Sequence, residues 1–205
     1  MKISLNNLGK RYNREWIFRN LSFQFNINKH YAITGPNGSG KSTLLQIIAG
    51  STIYNEGGII YHESDKNIEP EKIFKKISFA APYLEVVEEM TLVEFFAFHQ
   101  KMKGWISSID TKEIIFTLDL EKSSHKQIRY FSSGMKQRVK LAQAIFSNVP
   151  TVLLDEPLTN LDDKGILLYH SLIKNYCNDR LVIVSSNDKN EYSFCEEKIN
   201  MLNYK

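Results

Sequence analysis

The sequence of 205 residues lacks most of the features that would place it outside the ordinary globular proteins. Its longest apolar runs, such as TVLL at 151–154, are far shorter than the roughly 18 residues of a membrane-spanning helix, so none is predicted. No basic and then apolar leader opens the chain, and no secretory signal is expected. The two cysteines, Cys177 and Cys195, could pair, but in a chain without a leader we expect buried free thiols.

An excess of charge of one sign is also missing. The net charge of +3 is too small to indicate a nucleic-acid-binding surface, and the basic residues are scattered along the chain. The sequence has no internal repeat, low-complexity tract or proline-rich linker. Its hydrophobic content of 42% and charged content of 24% are ordinary for a chain with a core. These observations predict one cytoplasmic domain with at most a subdomain.

Hydrophobic patterns predict strands at both ends of the chain. Every second residue from Leu21 to Ile27 is apolar, which is typical of a half-buried strand. The runs TVLLDE (151–156) and RLVIVSSN (180–187) are apolar without alternation, as buried parallel strands are. A helical pattern over 165–176 joins these two strands. Further strands are predicted at 31–34, 57–61, 75–81 and 198–204.

The pattern is helical from about residue 85 to 130. Thr91 and Glu94 form a short capping box at the start of one helix, and further helices are predicted over 110–120 and 132–148. The fold class is therefore α/β. We expect a mostly parallel core sheet flanked by helices, with an antiparallel β part before it and a helical insert.

The stretch GPNGSGKST fits the pattern G-x-x-x-x-G-K-[ST] between an apolar strand and a helical run. Its glycines let successive backbone N–H groups approach phosphate oxygens, and the helix that begins at Lys41 adds its positive end. Lys41 is predicted to reach the β- and γ-phosphates and the Ser42 hydroxyl to bind Mg²⁺. The strand–loop–helix context disfavours a chance glycine-rich turn. The predicted nucleotide-binding loop consists of Gly35, Pro36, Asn37, Gly38, Ser39, Gly40, Lys41, Ser42 and Thr43.

Two acids end the apolar run TVLLDE. Asp155 is predicted to hold the magnesium ion, and Glu156 is the candidate base that orients or deprotonates the attacking water. Such a pair is otherwise often a plain strand exit. The functional interpretation gains weight here because a phosphate-binding loop requires a metal-binding carboxylate further along the chain.

The stretch FSSGMKQR (131–138) has two interpretations. A serine can simply cap an amphipathic helix whose buried face includes Val139 and Ala142. However, Ser132 precedes Asp155 by 23 positions. With this spacing the chain resembles the ATP-binding cassette (ABC) ATPases, whose signature L-S-G-G-Q binds the γ-phosphate held by a second protomer. Ser132 and Gly134 are kept here. The signature residues that the resemblance implies are Ser132, Ser133, Gly134 and Met135.

Two more stretches carry the same resemblance, which covers almost the whole chain. LTNLDD (158–163) is similar to the D-loop of the family, with Leu161 and Asp162 at its centre. Tyr12 stands 23 positions before Gly35, where the family has an aromatic residue that stacks on adenine. A tyrosine in a strand-rich region can otherwise belong to the core or the rim.

The resemblance implies a nucleotide-binding subunit of an ABC transporter that requires ATP and Mg²⁺. Two protomers, identical or paralogous, would close on two ATP molecules and open after hydrolysis, driving a separate integral membrane subunit. The chain would lie in the cytoplasm at the inner face of the membrane, with no direct contact to nucleic acid. Residues 1–82 and 131–205 would form the P-loop core with its β subdomain, and 83–130 the helical subdomain. The partner would dock around residues 83–98, unless the apolar residues there serve only as local core.

The chain departs from the family pattern at two positions. Pro82 stands where the family has a glutamine that contacts the metal shell, and proline has neither a side-chain amide nor an N–H. Asn187 stands where the family has a histidine bonded to the γ-phosphate, and asparagine donates a hydrogen bond but cannot become a cation. Because Lys41, Ser42, Asp155 and Glu156 are present, we expect an active ATPase with catalytic residues Glu156, Lys41 and Asn187. Because positions 82 and 187 depart from the pattern, we expect it to be slow or partner-dependent.

Two other functions remain open at this stage. A non-transport ABC ATPase could act on ribosomes or DNA, although such relatives usually carry two cassettes, a long coiled-coil insertion or zinc-binding cysteines. A nucleotide-sensing module that barely hydrolyses ATP would also fit the residues at positions 82 and 187.

Overall fold

The computed structural model of the chain describes residues 1–64, 66–107 and 109–205. Across these ranges it contains nine β-strands, five α-helices and four short 3₁₀ helices. The strands are β1 (Lys2–Tyr12), β2 (Glu15–Asn26), β3 (His30–Thr34), β4 (Glu56–Glu63), β5 (Lys66–Ile68), β6 (Ile77–Ala80), β7 (Thr151–Asp155), β8 (Leu181–Ser185) and β9 (Glu197–Asn200). The α-helices are α1 (Lys41–Ile48), α2 (Leu92–Lys103), α3 (Thr111–Thr117), α4 (Ser133–Ile145) and α5 (Asp163–Tyr176). The 3₁₀ helices are Pro70–Lys75, Glu121–Ser123, Ile128–Tyr130 and Met201–Tyr204.

A five-stranded parallel sheet forms the centre of the molecule, in the order β6-β7-β8-β3-β9. All residues of β7 and β8 are buried, which explains why their sequences show no alternation. The register places Ala80 beside Leu154 and Asp155 beside Ser185. The carboxyl ends of these strands therefore meet at one edge, where ligands bind in open α/β sheets.

A second, antiparallel sheet has the order β2-β1-β4-β5. It confirms the predicted antiparallel part, and with the parallel sheet it confirms the predicted fold class. Two details of the prediction were wrong. Strand β2 ends at Asn26, and Ile27 is 39% exposed in the turn that follows. The strand predicted at 198–204 ends at Asn200, because Met201–Tyr204 form a 3₁₀ helix. Strand β5 was not predicted. The predicted strand at 75–81 is shorter, since Lys75 ends a 3₁₀ helix.

Apolar side chains form two clusters that lie on opposite faces of the parallel sheet. Alternate residues of β7 belong to different clusters: Leu153 packs with the P-loop helix and the antiparallel sheet, and Leu154 packs with the helical segments. In β8, Ile183 and Val184 divide in the same way. We call these clusters the loop-side core and the helix-side core.

The segment between β6 and α4 contains helices α2 and α3. The predicted capping box of Thr91 and Glu94 is present at the start of α2. Phe95 and Phe96 are buried, whereas Phe98 is 47% exposed. The apolar residues at the start of α2 therefore belong partly to the local core and partly to the surface. Within the predicted ranges 1–82 and 83–130, Asp65 and Ser108 lie outside the described residues.

Two expectations from the composition can be compared with the structure. Cys177 and Cys195 are buried free thiols, as expected. Across residues 1–64, 66–107 and 109–205 no helix has the length and hydrophobicity that a membrane span needs.

Candidate functional site

The loop between β3 and α1 has the backbone geometry that its glycines permit. Gly35, Gly38 and Gly40 all have positive φ. Gly40 is the most constrained, because a Cβ on it would lie 2.6 Å from the Ile17 side chain. Leu44 N–H donates to the Gly40 carbonyl at 2.9 Å, which closes the first turn of α1 directly behind the loop. The N–H groups at the start of this helix therefore remain for a ligand.

Lys41 folds back over this loop. Its Nζ donates to the carbonyl oxygens of Gly35 at 2.9 Å and Pro36 at 3.3 Å, and the side chain is 5% exposed. The ammonium group is thus held at the mouth of the loop by carbonyl oxygens instead of by a carboxylate.

A cavity of about 340 Å³ lies at this loop and brings it together with one of the two predicted acids, Glu156. Asp155, at the end of β7, is 2% exposed, and neither of its carboxylate oxygens has a hydrogen bond to any described residue. Such a carboxylate fits the binding of a cation, because a buried charge without a partner is strongly unfavourable. The cavity is lined by Ile17, Asn37, Gly38, Gly40, Lys41, Ser42, Thr43 and Glu156.

Asn187 follows β8 and reaches the phosphate-binding loop. Its Nδ2 lies 3.2 Å from Asn37 Oδ1 and donates a hydrogen bond to it. The structure therefore brings this predicted residue to the loop, although the two positions are 150 residues apart in the chain.

Tyr12 lies outside the lining of the cavity. It is 49% exposed at the end of β1, and the Lys10 Nζ lies 4.5 Å from the centre of its ring. Tyr12 is therefore a rim residue and not part of the core. Ile17, which was not predicted, lines the cavity from β2.

The signature residues lie at the start of α4, where Ser132 and Ser133 are exposed. Ser132 is the N-cap of the helix, and its Oγ accepts a hydrogen bond from Met135 N–H at 3.2 Å. A Cβ on Gly134 would lie 2.9 Å from the Asn160 carbonyl oxygen, so the signature segment is packed closely against the D-loop. Met135 packs against the helix-side core.

The predicted D-loop joins β7 to α5. Asp162 is the N-cap of α5, and its Oδ1 accepts a hydrogen bond from Gly165 N–H at 2.9 Å. Leu161 is half-buried against the helix-side core. Both residues therefore have structural roles within this chain.

The segment that contains Pro82 lies beside Asp155. Because Ala80 pairs with Leu154, the residues after β6 follow the same edge as Asp155. The Lys140 Nζ donates to the Pro82 carbonyl at 2.8 Å and fixes the turn. Burial raises the pKa of Tyr83 to about 12, and the Asp155 charge acts in the same direction. Tyr83 was not predicted to be part of the site, because no local pattern places its hydroxyl near an acid on another strand.

The comparisons with known proteins agree with this geometry. The family model described as ABC transporter matches residues 18–159. The chain belongs to the ABC transporter family. The ABC transporter ATP-binding protein YybJ of Bacillus subtilis (strain 168), named as uncharacterized, is 32% identical over 97% of this chain and 92% of its own length. The cytochrome c biogenesis ATP-binding export protein CcmA of Mesorhizobium japonicum is 30% identical over 91% of each chain.

A solved structure shares the fold over nearly the whole length. The dimeric structure of MJ0796, a bacterial ABC transporter cassette, has a TM-score of 0.80 at 25% identity and covers 97% of this chain and 94% of that chain. The predicted resemblance and fold are thus confirmed. As an ATP-binding subunit of the ABC transporter family, the chain binds and hydrolyses ATP.

Proposed function

We propose that the chain hydrolyses ATP between two cassette protomers and thereby powers a separate membrane-spanning subunit. The observation that supports this most directly is the common cavity of Lys41, Ser42 and Glu156, with the unpaired carboxylate of Asp155 at the adjoining end of β7. A phosphate-binding loop, a cation-binding acid and a candidate base are the parts that phosphoryl transfer requires.

Mg²⁺ would be held by the Ser42 hydroxyl and Asp155, with the nucleotide phosphates and water completing its oxygen shell. Asp155 fits this role because its two buried oxygens are not used by any described protein group. An ion held there would supply positive charge that stabilises the negative charge developing on the phosphates.

Glu156 and Asn187 would act on the reacting end of the nucleotide. Glu156 is exposed at the cavity and can orient the attacking water and accept its proton. The Asn187 amide, already bonded to Asn37, would donate to the γ-phosphate. Because Asn187 carries no positive charge and Pro82 no side-chain amide, we expect turnover to be slow or to depend on the partner.

Ile17, which lines the cavity, and Tyr12, which lies outside its lining, would hold the adenine and ribose. The Lys10 ammonium group covers one face of the Tyr12 ring, so the base would stack on the opposite face. Stacking would also order a side chain that is half exposed in the free protein.

A second protomer would complete each site through its signature residues. The N-terminal end of α4 presents exposed serines and backbone N–H groups, which suit the γ-phosphate held by the other copy. The related cassette MJ0796 is dimeric. The D-loop residues Leu161 and Asp162 would lie at the same interface, next to Gly134 through the contact with Asn160.

The membrane partner would bind around residues 83–98, where apolar side chains are exposed, beside the groove between β6 and α2. A cavity of about 230 Å³ there is lined by apolar and basic side chains that include Phe74, Phe79 and Lys103, and the exposed Phe98 lies on the same helix as Lys103. The protein would thus be held in the cytoplasm at the inner face of the membrane, without contact to nucleic acid. This arrangement retains the division into a P-loop core (1–82 and 131–205) and a helical subdomain (83–130).

Replacement of the candidate base tests the proposal. Glu156→Gln keeps the size of the side chain but cannot accept a proton, so it should bind Mg²⁺-ATP, hydrolyse it at least about 100-fold more slowly and accumulate as an ATP-dependent dimer. Mass measured by light scattering after gel filtration, and phosphate release, would show both effects. Glu121→Gln, an exposed acid on the helical segment, is the matched control.

The double variant Glu156→Gln with Lys41→Ala should remain monomeric, because it removes the contact to the phosphates. If Glu156→Gln stayed monomeric at saturating ATP in the presence of its membrane partner, the two-protomer mechanism would be wrong. Hydrolysis by Glu156→Gln at the wild-type rate would instead exclude Glu156 as the base.

A further inference from the structure

The turn that follows β7 holds Glu156 in an unfavourable backbone conformation. Its φ is +42°, in the left-handed region that residues other than glycine rarely adopt. Such a conformation persists only where the surrounding structure fixes it. The position of the candidate base therefore depends on the groups that hold this turn.

Every backbone polar group from Glu156 to the Leu158 N–H has a hydrogen bond. Glu156 N–H donates to the Ser185 carbonyl at 2.9 Å, and Thr159 N–H donates to the Glu156 carbonyl at 3.2 Å. The Pro157 carbonyl accepts from Gln137 Nε2 at 2.8 Å. Gln137 is 2% exposed and lies on α4, so the helix that begins with the signature contacts the turn directly.

The remaining contact comes from Glu191. The Leu158 N–H donates to Glu191 Oε1 at 2.7 Å, and the Glu191 side chain is 4% exposed. The Tyr169 hydroxyl, also fully buried, donates to the Glu191 carbonyl at 2.7 Å and fixes this residue from α5. Burial raises the pKa of the Glu191 carboxyl, while hydrogen bonds from Ser186 and Leu158 act against the rise.

A buried carboxylate at this place is unfavourable unless its hydrogen bonds compensate for lost hydration. Glu191 lies four residues after Asn187, in the segment that follows β8. It contacts the turn that begins at Glu156. One side chain thus joins the two strand-end segments that carry candidate catalytic residues.

We propose that Glu191 is a positioning residue for Glu156. Its carboxylate oxygen holds the Leu158 N–H and so keeps the strained turn in the orientation in which Glu156 faces the cavity. This inference rests on the role of Glu156 proposed above. Glu191 does not line the cavity among the described residues, so it acts through the turn and not on the nucleotide.

Two conservative variants of Glu191 separate the effect of side-chain length from the effect of side-chain charge. Glu191→Gln keeps an oxygen at the same distance from Leu158 and removes the charge, while Glu191→Asp keeps the charge and shortens the side chain by one methylene. Because a small displacement of a reacting group can slow a reaction strongly, Glu191→Asp should lower kcat about tenfold or more. Glu191→Gln should retain kcat within about twofold of wild type. Glu196→Asp, an exposed acid on the same segment, is the control.

The measurements are steady-state ATP hydrolysis, with KM and kcat separated, and binding of a fluorescent ATP analogue. We expect an unchanged KM and an unchanged analogue affinity in both variants. A general loss of folded protein would not lower kcat when kcat is calculated per active site. Active-site concentration is taken from the analogue titration, so partly unfolded protein does not lower kcat.

The opposite pattern, in which Glu191→Gln loses turnover and Glu191→Asp retains it, would show that the charge matters and would overturn the inference. Equal kcat values in all variants would overturn it as well. The proposed function fails separately, if wild type does not hydrolyse Mg²⁺-ATP or if Glu156→Gln does not slow the reaction.

Discussion

The side-chain amide of Asn187 donates to the side-chain oxygen of Asn37 across 3.2 Å, joining the end of β8 to the phosphate-binding loop. The bond is solvent-exposed, so in water it contributes little to stability. The bond fixes the position of the Asn187 amide, so that a hydrogen-bond donor stands at the edge of the cavity before the nucleotide binds.

Asn187→Ala removes this donor and should lower kcat for ATP hydrolysis by about 10-fold to 100-fold, with a smaller change in KM. Steady-state phosphate release at saturating Mg²⁺-ATP measures the effect. Asn190→Ala, three residues further along the same exposed segment, should behave as wild type. Equal activity of Asn187→Ala and wild type would mean that position 187 does not contact the reacting phosphate.

Asp155→Asn should separate stability from activity. The wild-type side chain is a buried acid whose oxygens have no partner among the described residues, and such a group destabilises the nucleotide-free protein. Neutralising it should raise the free energy of unfolding by about 1 kcal/mol or more while abolishing Mg²⁺-dependent hydrolysis.

Thermal melts with and without Mg²⁺-ATP would measure the stability of each protein and the stabilisation that the ligand adds. Wild type should gain stability from Mg²⁺-ATP, because a ligand that binds only the folded state shifts the equilibrium towards it. Asp155→Asn should gain much less from Mg²⁺ added to ATP. A lower melting temperature of the variant without ligand would contradict the prediction.

Arg180 stabilises the junction of α4 and β7, and no carboxylate of the described residues pairs with it. Its guanidinium is 7% exposed and donates to the carbonyl oxygens of Val149 at 2.9 Å and Ser147 at 3.0 Å, and also to that of Ile145. Burial lowers the pKa of Arg180. Because these carbonyl groups include the end of α4, removing the donors leaves buried acceptors unpaired.

Arg180→Met should therefore lower the free energy of unfolding by about 3 kcal/mol, measured by urea denaturation. The free energy of unfolding of Arg180→Lys should lie between those of Arg180→Met and wild type, since an ammonium group keeps the charge but reaches fewer carbonyl oxygens. The matched control is Arg14→Met in the exposed turn after β1, where no comparable loss is expected.

His99 should make stability depend on pH between neutrality and pH 4. It is 7% exposed, and burial lowers its pKa to about 4, with the Lys103 charge acting in the same direction. Its Nε2 lies 2.7 Å from Ser147 Oγ, which donates its own hydrogen to the Gln143 carbonyl at 2.5 Å. The His99 Nε2 therefore carries the hydrogen and donates it to Ser147.

Since the unfolded chain takes up a proton near pH 6.5 and the folded chain does not, this contribution is complete above pH 6.5 and is lost as pH falls towards 4. Wild type should lose about 2 kcal/mol at pH 5 relative to pH 7.5 from this residue. His99→Gln keeps a donor but does not titrate, so its urea midpoint should vary less over the same range. Parallel pH curves of the two proteins would contradict this account.

Local motifs in the sequence predicted the residues of the candidate site better than they predicted the residues that hold them in place. The phosphate-binding loop is a contiguous pattern with fixed backbone requirements, so its position and the helix after it could be predicted. Glu191 and Tyr83 contact residues that are distant in the chain, and only the register of the parallel strands brings them to the site. No local pattern distinguishes them from surface residues.

The errors at element ends have similar physical causes. Helix α3 stops at Thr117 instead of residue 120, because Asp119 has a positive φ of 55° and ends the turn. Strand β5 has three residues and pairs with β4 at the edge of the described sheet. A segment of three residues is too short to show a hydrophobic period. Ile27 continues the alternation of β2 in sequence, but Asn28 turns with a φ of 62°.

The alternation between the loop-side core and the helix-side core has a practical consequence for redesign. Leu153 and Leu154 are neighbours in the chain, yet they pack into separate interiors with the sheet between them. The helical segments could be exchanged for those of a relative, to graft a different docking specificity, while the nucleotide side keeps its own packing. Such chimaeras should tolerate extensive change on one face of the sheet and little at its carboxyl edge, where the turn that begins at Glu156 follows β7.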